Sequence, residues 1–345
     1  MTDGVIVMDK PAGMTSFQLV RAVRRRLGVK KAGHTGTLDP MATGVLPVCL
    51  GKATKIVQFL MAGRKVYHGS LKLGAATDTY DSEGSITMEK PIPYNVDGKV
   101  IRETCRKLTG SILQAPPPFS AAKHHGVPLH RLARRGIIVK KEPRPVNVHT
   151  FHVIDVRLPQ VDFAVQCSGG TYIRSLVHEL GMMLGCCAHM TGLRRICSSP
   201  FDTSRALTLE VLDRILARNG ILDVLVTMDR ALDHIPSLII GEETASRLRR
   251  GQAVAAAAIA GSGKERLAVQ ADIPFVRLLK KSDCRDDGKP DYELVAVSRW
   301  PLECASSSPD CIRTIRVWQE ENALPSRHSS LDAGGPYEDL TAAGL

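Results

Sequence analysis

The segment from Gly33 to Gly44 constrains the fold of this chain more than any other, because it must hold one carboxylate, Asp39, at the point of a rigid loop. Its sequence is Gly-His-Thr-Gly-Thr-Leu-Asp-Pro-Met-Ala-Thr-Gly. We expect its three glycines to adopt backbone conformations or close approaches that other residues forbid. Pro40 biases Asp39 toward an extended conformation and away from a helix. The segment therefore predicts a loop that presents a side chain.

The residue at the point of this loop is an acid, which separates it from phosphate-binding loops. Those loops are glycine-rich and are followed by a lysine and a hydroxyl residue. Asp39 therefore favours acid-base or covalent chemistry over anion binding. The alternative is an Asx turn before proline that only ends a helix, and the loop alone leaves both interpretations open.

The composition of the 345 residues, 43% hydrophobic and 23% charged, is typical of a soluble globular protein with about two domains. The apolar run Val5–Met8 is too short for a signal peptide, and no stretch approaches the length of a membrane span. We therefore expect a cytoplasmic protein without a membrane partner. The nine cysteines form no C-x-x-C pair, which predicts reduced thiols and no structural zinc. No self-complementary apolar stripe is evident, so a monomer is expected.

The charge of the chain indicates a polyanionic partner. The net charge is +11, and it is unevenly distributed: residues 1–63 and residues 123–144 each carry a net charge of +6. Nucleic acid is the partner that such clusters favour, and a merely solubilising surface is the alternative. The tail 319–345 is instead acidic, with five acids against one arginine, and we expect it to be disordered.

The N-terminal region predicts a buried strand followed by a basic helix. The strand covers Val5–Met8, and Thr15 or Ser16 caps a helix with apolar positions at helical spacing. Four arginines lie mostly on the opposite face of this helix: Arg21, Arg24, Arg25 and Arg26. Because the helix leads directly into the Asp39 loop, we interpret that face as a phosphate contact rather than a solvated surface.

Two further elements place candidate site residues. Lys65–Leu73 predicts a strand with Tyr67 on its apolar face, and Asp162–Ser168 predicts a second strand that leads into a helix. Arg174 falls in the first turn of that helix, where the macrodipole disfavours a cation. We therefore expect Arg174 to have a negative partner, and Asp39 is the candidate.

The elements alternate irregularly, which predicts an α+β fold with a mixed or antiparallel sheet. We expect a first domain over 1–235, with a proline-bounded basic insertion at about 116–145 that clasps a ligand or is a surface loop. Residues 236–318 predict a small β-rich second domain, with short strands around Leu267–Val269, Leu294–Val297 and Ile312–Val317.

Metal chemistry finds no support in the motifs. Asp78–Gly84 lacks the acid at the third position of a calcium loop, and His178-Glu179 lacks the second histidine of H-E-x-x-H.

Three candidate site residues keep two interpretations each. Tyr67 is either a core aromatic or a ring that stacks on a flipped base. Tyr172 has the same two interpretations, and His34 is either a donor within the loop or a substrate contact.

Several motifs in one order resemble those of the TruB family of bacterial tRNA pseudouridine synthases. They are Gly4-Val-Ile-Val-Met-Asp-Lys-Pro-Ala-Gly-Met-Thr-Ser16, the extended loop Gly33–Pro47, Tyr67 in its strand, Thr77-Asp-Thr-Tyr-Asp-Ser-Glu-Gly84 and Gly170-Thr-Tyr-Ile-Arg174. The resemblance covers residues 4 to about 200. It implies the pseudouridine-synthase α+β catalytic domain, a thumb at 116–145 that grips RNA, and a PUA-like RNA-binding domain at 236–318.

The resemblance also implies a reaction and its residues. The expected reaction converts uridine 55 in the T loop of tRNA to pseudouridine, without metal or organic cofactor. By position, Asp39 matches the catalytic aspartate, Arg174 the arginine paired with it, and Tyr67 the tyrosine that stacks on the target base. The expected substrate contacts are His34, Tyr172, Leu193 and, as a further polar contact, Asp81.

Two other functions remain open at this point. The basic surface would also serve an RNA-binding protein without catalysis. A relative that works inside a guide-RNA particle shares the family resemblance, although the chain begins directly at the catalytic domain and its loop resembles the stand-alone form. Whether Asp39 attacks the ribose C1′ or the uracil C6 is also open.

Overall fold

The structure is a computed structural model that describes residues 3–218, 220–252, 254–255, 275–281, 292–299, 304–305, 308–312 and 314–317. The predicted strand at 267–269 and the acidic tail at 319–345 lie outside the described residues. The described helices are α1 Ser16–Arg26, α2 Val57–Ala62, α3 Gly98–Lys107, α4 Leu129–Ala133, α5 Ile173–Met183, α6 Leu209–Ala217, α7 Ile221–Val224, α8 Met228–Ala231 and α9 Glu242–Arg249. Short 3-10 helices span Gly51–Ile56 and Thr203–Arg205.

The described strands fall into one large and several small sheets. They are β1 Gly4–Lys10, β2 Ala32–His34, β3 Thr43–Leu50, β4 Lys65–Leu73, β5 Ala75–Thr77, β6 Ile86–Glu89, β7 Gly110–Gln114, β8 Lys123–His124, β9 Val127–Pro128, β10 Arg144–Arg157, β11 Gln160–Cys167, β12 Ala188–Ser198, β13 Phe201–Asp202, β14 Ser237–Ile240, β15 Phe275–Lys281, β16 Tyr292–Arg299, β17 Cys304–Ala305, β18 Ser308–Ile312 and β19 Thr314–Val317.

The large sheet has the strand order β1-β3-β12-β4-β11-β10-β7, with β2 added to β3 and β13 added to β12. The β3–β12 pair is parallel, and the other described pairs of this sheet are antiparallel. The predicted α+β fold with a mixed sheet is therefore confirmed. The predicted strand Lys65–Leu73 is β4 with the same bounds, and β11 begins two residues before the predicted Asp162.

The β1–β3 end of the sheet is buried on both faces, and alternate residues of these strands point to opposite sides. Ile6 and Met8 of β1 join the cluster that contains the apolar stripes of α1, α3 and α5. Val5 and Val7 of the same strand join a second cluster on the other face. Tyr67 lies on the α1 and α5 side, as the apolar face of β4 predicts.

Helix α1 begins at a capping box and leaves its basic face exposed. Thr15 is the N-cap: its side chain accepts from the backbone of Gln18, whose own side chain accepts from the Thr15 backbone, which completes a capping box. This resolves the choice between Thr15 and Ser16, because Ser16 is buried and contacts the Asp39 loop instead. Arg21, Arg24 and Arg25 are exposed, as predicted, whereas Arg26 is half-buried and forms a bidentate contact with Asp213 of α6.

The C-terminal part contains a second sheet with the order β14-β15-β16-β19. One of its faces has a small core of its own that includes Leu238, Leu248 and Leu278. The predicted strand Leu294–Val297 lies within β16, and the predicted piece at 312–317 divides between β18 and β19. The sheet begins at Ser237, and the division of the chain into domains at 235 stays a prediction.

The insertion at 116–145 contains a short hairpin, β8 and β9, and the one-turn helix α4. It leaves the large sheet after β7 and returns to it at the start of β10, so both of its ends are anchored in neighbouring strands. Within the described ranges, no helix is long and apolar enough to cross a membrane.

Candidate active site

The loop that carries Asp39 is fixed on both sides of the carboxylate. The backbone N–H of Leu38 donates to Ser16 Oγ at 2.8 Å, and Ser16 Oγ donates to the Leu38 carbonyl at 3.1 Å. On the other side, Gly13 N donates to the Pro40 carbonyl at 2.9 Å. Because both neighbours of Asp39 are held by residues at or just before the start of α1, the carboxylate is presented from a rigid loop, as predicted.

Asp39 is bound by a bidentate contact with Arg174. Arg174 Nε donates to Asp39 Oδ2 and Nη2 donates to Oδ1, both at 2.9 Å. This fork geometry is the strongest form of an arginine-carboxylate pair. The Arg174 side chain is 5% exposed, whereas the Asp39 side chain is 29% exposed. The predicted partner of Arg174 is therefore confirmed, and the carboxylate keeps an accessible side.

The remaining donors of Arg174 are also occupied. Nη1 donates to the Thr79 carbonyl at 2.6 Å and lies 3.3 Å from Asp81 Oδ2, and Nη2 donates to the Phe119 carbonyl at 2.9 Å. Asp81 is buried and is held by Thr79 Oγ1, which donates to its Oδ1 at 2.6 Å. The guanidinium is thus fixed by three separate segments, so it cannot turn away from Asp39.

Lys10 is a residue of this site that the sequence analysis did not identify. It is fully buried, and its Nζ donates to the carbonyls of Pro11, Met14 and Pro40, so it fixes the residue after Asp39. Burial lowers the pKa of Lys10 to about 8, and the charge of Asp39 opposes that shift. A lysine at the end of an apolar strand is usually exposed, so its sequence position gave no signal.

Tyr67 and Leu193 lie on the neighbouring strands β4 and β12. Tyr67 is 7% exposed and stands opposite Arg195, and Leu193 stands opposite Gly69. Burial raises the pKa of the Tyr67 phenol, and the charge of Arg195 opposes the shift. Tyr67 is therefore a neutral phenol near pH 7, in the same buried cluster as Leu193.

Arg195 is the second residue that the sequence analysis missed. It is 1% exposed, its Nε donates to the Val45 carbonyl at 2.7 Å, and its Nη2 donates to the Gly36 carbonyl at 3.1 Å. Gly36 precedes Asp39 and Val45 follows it, so the Arg195 side chain links the segments on either side of Asp39. The parallel pairing of Arg195 with Gly44 brings this about.

Two of the three loop glycines are needed for the reason predicted. Gly36 and Gly44 have φ of +137° and +103°, and a Cβ at Gly44 would lie 2.2 Å from the Arg195 carbonyl oxygen. The expectation for Gly33 is wrong. It has no positive φ, and the nearest atom to its Cβ position is 3.9 Å away in Val57.

His34 and Tyr172 flank this arrangement. His34 Nδ1 accepts from Gly36 N at 3.4 Å, which fits a role inside the loop, and burial lowers the pKa of its imidazole. Tyr172 is the N-cap of α5, and its backbone is held by Gln114, which accepts from its N–H at 2.7 Å and donates to its carbonyl at 3.1 Å. Burial raises the pKa of the Tyr172 phenol.

The structure thus brings three of the predicted residues into direct contact: Asp39, Arg174 and Asp81. Within the part of the chain that is described, no cluster of histidine, cysteine and carboxylate side chains could hold a metal ion. The catalytic and substrate-binding roles of the individual residues stay predictions.

Comparison with known proteins identifies the family. Residues 24–173 match the model for the N-terminal domain of TruB family pseudouridylate synthases, and residues 174–233 match the model for the tRNA pseudouridylate synthase B C-terminal domain. The chain belongs to the TruB family of pseudouridine synthases. It is therefore an isomerase, and the family resemblance of its motifs is confirmed.

Similar proteins cover most of this TruB-family chain. The tRNA pseudouridine synthase B of Syntrophotalea carbinolica is 45% identical over 72% of this chain and 81% of its own length, and that of Geobacter sulfurreducens is 46% identical over 72% and 82%. Among solved structures, a chain of a Cbf5-Nop10-Gar1 complex is 27% identical with a TM-score of 0.66, over 92% of this chain and 85% of that chain.

The close approach at Gly44 predicts a large loss of stability in Gly44→Ala. The substitution adds a Cβ against a backbone carbonyl and forces alanine into a positive φ. We expect the free energy of unfolding to fall by more than about 3 kcal/mol, measured by urea denaturation. Gly28→Ala is the matched control, because Gly28 has φ +61° and no atom within 4 Å of its Cβ position. It should lose only about 1–2 kcal/mol. Equal losses in the two variants would contradict the proposed packing of Gly44 against β12.

Proposed function

We propose that this enzyme isomerises uridine 55 in the T loop of tRNA to pseudouridine, with Asp39 as its catalytic carboxylate. The observation that carries the proposal is the bidentate Asp39–Arg174 contact, which leaves the carboxylate accessible and orients it. The relatives named tRNA pseudouridine synthase B support tRNA as the substrate. The position in the T loop rests on the family motifs around Asp39.

The chemistry requires few groups, because the product has the same atoms as the substrate. The bond between uracil N1 and ribose C1′ breaks, the uracil turns, and a bond forms between C5 and C1′. The proton on C5 leaves, and N1 gains one, so no oxidant, reductant or co-reactant is consumed. Asp39 acts as the nucleophile, so that cleavage of the N1–C1′ bond and formation of the C5–C1′ bond occur in separate steps. Attack at C1′ and attack at C6 both satisfy this balance.

The surroundings of Asp39 suit these steps. Tyr67 is a flat ring on the apolar face of β4, and we assign it to stacking on the flipped uracil. Its phenol is neutral near pH 7, since burial raises its pKa, so it can also take part in a proton transfer. Leu193 and Tyr172 are assigned to the pocket walls, and His34 to a polar contact. Asp81 is buried and lies 3.3 Å from Arg174 Nη1, so we assign it to holding that arginine rather than the substrate. Base extrusion costs a few kcal/mol, which stacking and phosphate contacts recover.

The rest of the chain is assigned to holding the RNA. The insertion at 116–145 is assigned to gripping the arm that contains the T loop, because it is basic and is anchored in β7 and β10 next to the site. The domain at 236–318 is assigned as a PUA-like RNA-binding domain, and the enzyme acts as a monomer. A T loop is structured but single-stranded, so recognition is expected to depend on shape as well as sequence.

A guide-RNA enzyme is the second candidate, since chains from solved structures of H/ACA RNPs are similar to this chain. The stand-alone tRNA enzyme is favoured by identity, which is 45% to a tRNA pseudouridine synthase B and 27% to the Cbf5 chain. Activity on naked tRNA, without any added RNA or protein, separates the two.

The experiment that tests the proposal is release of tritium from C5-labelled uridine in an unmodified tRNA transcript. We expect release by the wild-type protein and none from a transcript whose T-loop uridine is replaced by cytidine. Asp39→Asn should lower the rate by at least about three orders of magnitude with tRNA affinity within about threefold. Asp213→Asn is the matched control, because Asp213 forms a bidentate contact with Arg26 outside the site. Turnover by Asp39→Asn would refute the proposed role of Asp39, and release from the cytidine transcript would refute the target position.

The basic face of α1 generates a separate prediction about tRNA binding. Arg21, Arg24 and Arg25 are exposed, and among the described residues they form no ion pair. Each phosphate contact contributes about 0.7–0.9 to the slope of log affinity against log salt. We therefore expect the double variant Arg21→Gln/Arg25→Gln to lower the magnitude of that slope by about 1–2, measured by filter binding from low to moderate salt.

The matched control for this prediction is Arg102→Gln/Arg106→Gln. These arginines are also exposed and four residues apart, but they lie on α3. The control should leave the slope within about 0.5 of the wild-type value. An equal change in both double variants would mean that net charge, rather than the α1 face, determines binding.

A further inference from the structure

Two of the acceptors that fix Arg174 come from one tight turn. Nη1 donates to the Thr79 carbonyl and lies 3.3 Å from the Asp81 carboxylate, so residues on either side of Tyr80 contact the same nitrogen. The turn is closed by Tyr80 N, which donates to the Thr77 carbonyl at 3.2 Å. An interaction that holds Tyr80 in place therefore also holds the two acceptors on either side of it, which orient Arg174 toward Asp39.

Tyr80 has an unfavourable backbone conformation. Its φ is +64°, in the left-handed region that favours glycine, and such strain persists only where the surroundings impose it. The Tyr80 carbonyl accepts from Met190 N at 3.0 Å, which anchors the turn to β12. With Tyr80 in this conformation, the Thr79 carbonyl and the Asp81 side chain both face the guanidinium.

The Tyr80 ring is stacked on His178. The ring centroids are 3.9 Å apart and the planes differ by 7°. His178 follows Arg174 by four residues on α5, so the two side chains lie on the same face of the helix. One helix thus carries both the guanidinium and the ring that holds the turn against it.

His178 makes no compensating polar contact through its buried nitrogen. Within the described part of the chain, its Nδ1 is buried without a hydrogen-bond partner. Burial lowers the pKa of the imidazole, so the ring is neutral near pH 7 and stacks without a charge. With Nδ1 unpaired and no metal cluster among the described residues, His178 contributes here through its flat face.

We propose that Tyr80 and His178 are positioning residues, whose stack holds the Thr79–Asp81 turn on Arg174 and thereby keeps the Asp39 carboxylate aimed into the site. This inference rests on the proposed catalytic role of Asp39. The pair acts through Arg174 on the chemical step and not on tRNA binding, because the Arg174 side chain is almost fully buried whereas Asp39 keeps an accessible side. Misplacement of a reacting group by about 1 Å is enough to lower a rate by roughly a hundredfold.

A purely structural role for the stack makes different predictions from a positioning role. Tyr80→Gly removes the ring but also relieves the positive φ, so its effect on stability is small. If the ring only fills space, Tyr80→Gly keeps the wild-type rate below its melting temperature. If the ring positions the turn, the rate falls although the fold is intact. His178→Ala tests the other half of the stack on α5.

The test measures single-turnover rates and tRNA affinities well below the melting temperature of each variant, on a substrate that the wild type converts and Asp39→Asn does not. This comparison establishes the role of Asp39 independently. We expect Tyr80→Gly and His178→Ala each to lower the rate at least about tenfold with affinity within about threefold. Tyr80→Phe and His178→Phe keep flat rings and should stay within about threefold of the wild-type rate.

The double variant Tyr80→Gly/His178→Ala sharpens the test. Residues that act as one unit are not additive, so its rate should be close to that of the worse single variant. Wild-type rates in Tyr80→Gly and His178→Ala overturn the proposal, as does a loss confined to affinity. Equal losses in the phenylalanine variants also overturn it, because they would show that the polar atoms matter and the stack does not.

Discussion

The arrangement of this site depends on the contact between Arg174 and Asp39. Arg174 lies in the first turn of α5, where the helix macrodipole opposes a cation, and its side chain is almost fully buried. A buried charge in that position requires hydrogen-bonded partners. Removing one partner of a buried pair costs about 3–5 kcal/mol in general, and somewhat less where one member is 29% exposed, as Asp39 is. The same contact therefore stabilises the fold and orients the carboxylate.

The framework around this contact is built from buried cations that bind backbone carbonyls. Lys10 binds the carbonyl that follows Asp39, and Arg195 binds the carbonyls of Gly36 and Val45 on either side of the loop. Carbonyl groups in a tight loop lack partners in a sheet or helix, and these side chains supply the donors. The loop is rigid because backbone carbonyls on both sides of Asp39 are bound by side chains from outside it.

Local patterns predicted much of this structure, and long-range contacts account for what they missed. The period of Lys65–Leu73 determined the bounds of β4 and the buried face of Tyr67, and the position of Arg174 in its helix required an anionic partner. Sequence spacing does not reveal which distant carbonyl accepts a hydrogen bond, so Lys10 and Arg195 were not identified. The motif around Tyr80 fails as a calcium loop and carries part of the family resemblance, but it does not single out Tyr80, because neither the positive φ nor the stack has a local signature.

The measurement that tests the central claim most directly is the single-turnover rate of Arg174→Lys, with tRNA affinity measured in parallel. Lysine keeps the positive charge but lacks the planar fork that binds both oxygens of Asp39. If the bidentate contact orients the catalytic carboxylate, the rate should fall by at least about a hundredfold while tRNA affinity stays within about threefold. A rate within about threefold of the wild-type value would show that charge alone suffices, and it would contradict the account of how this site works.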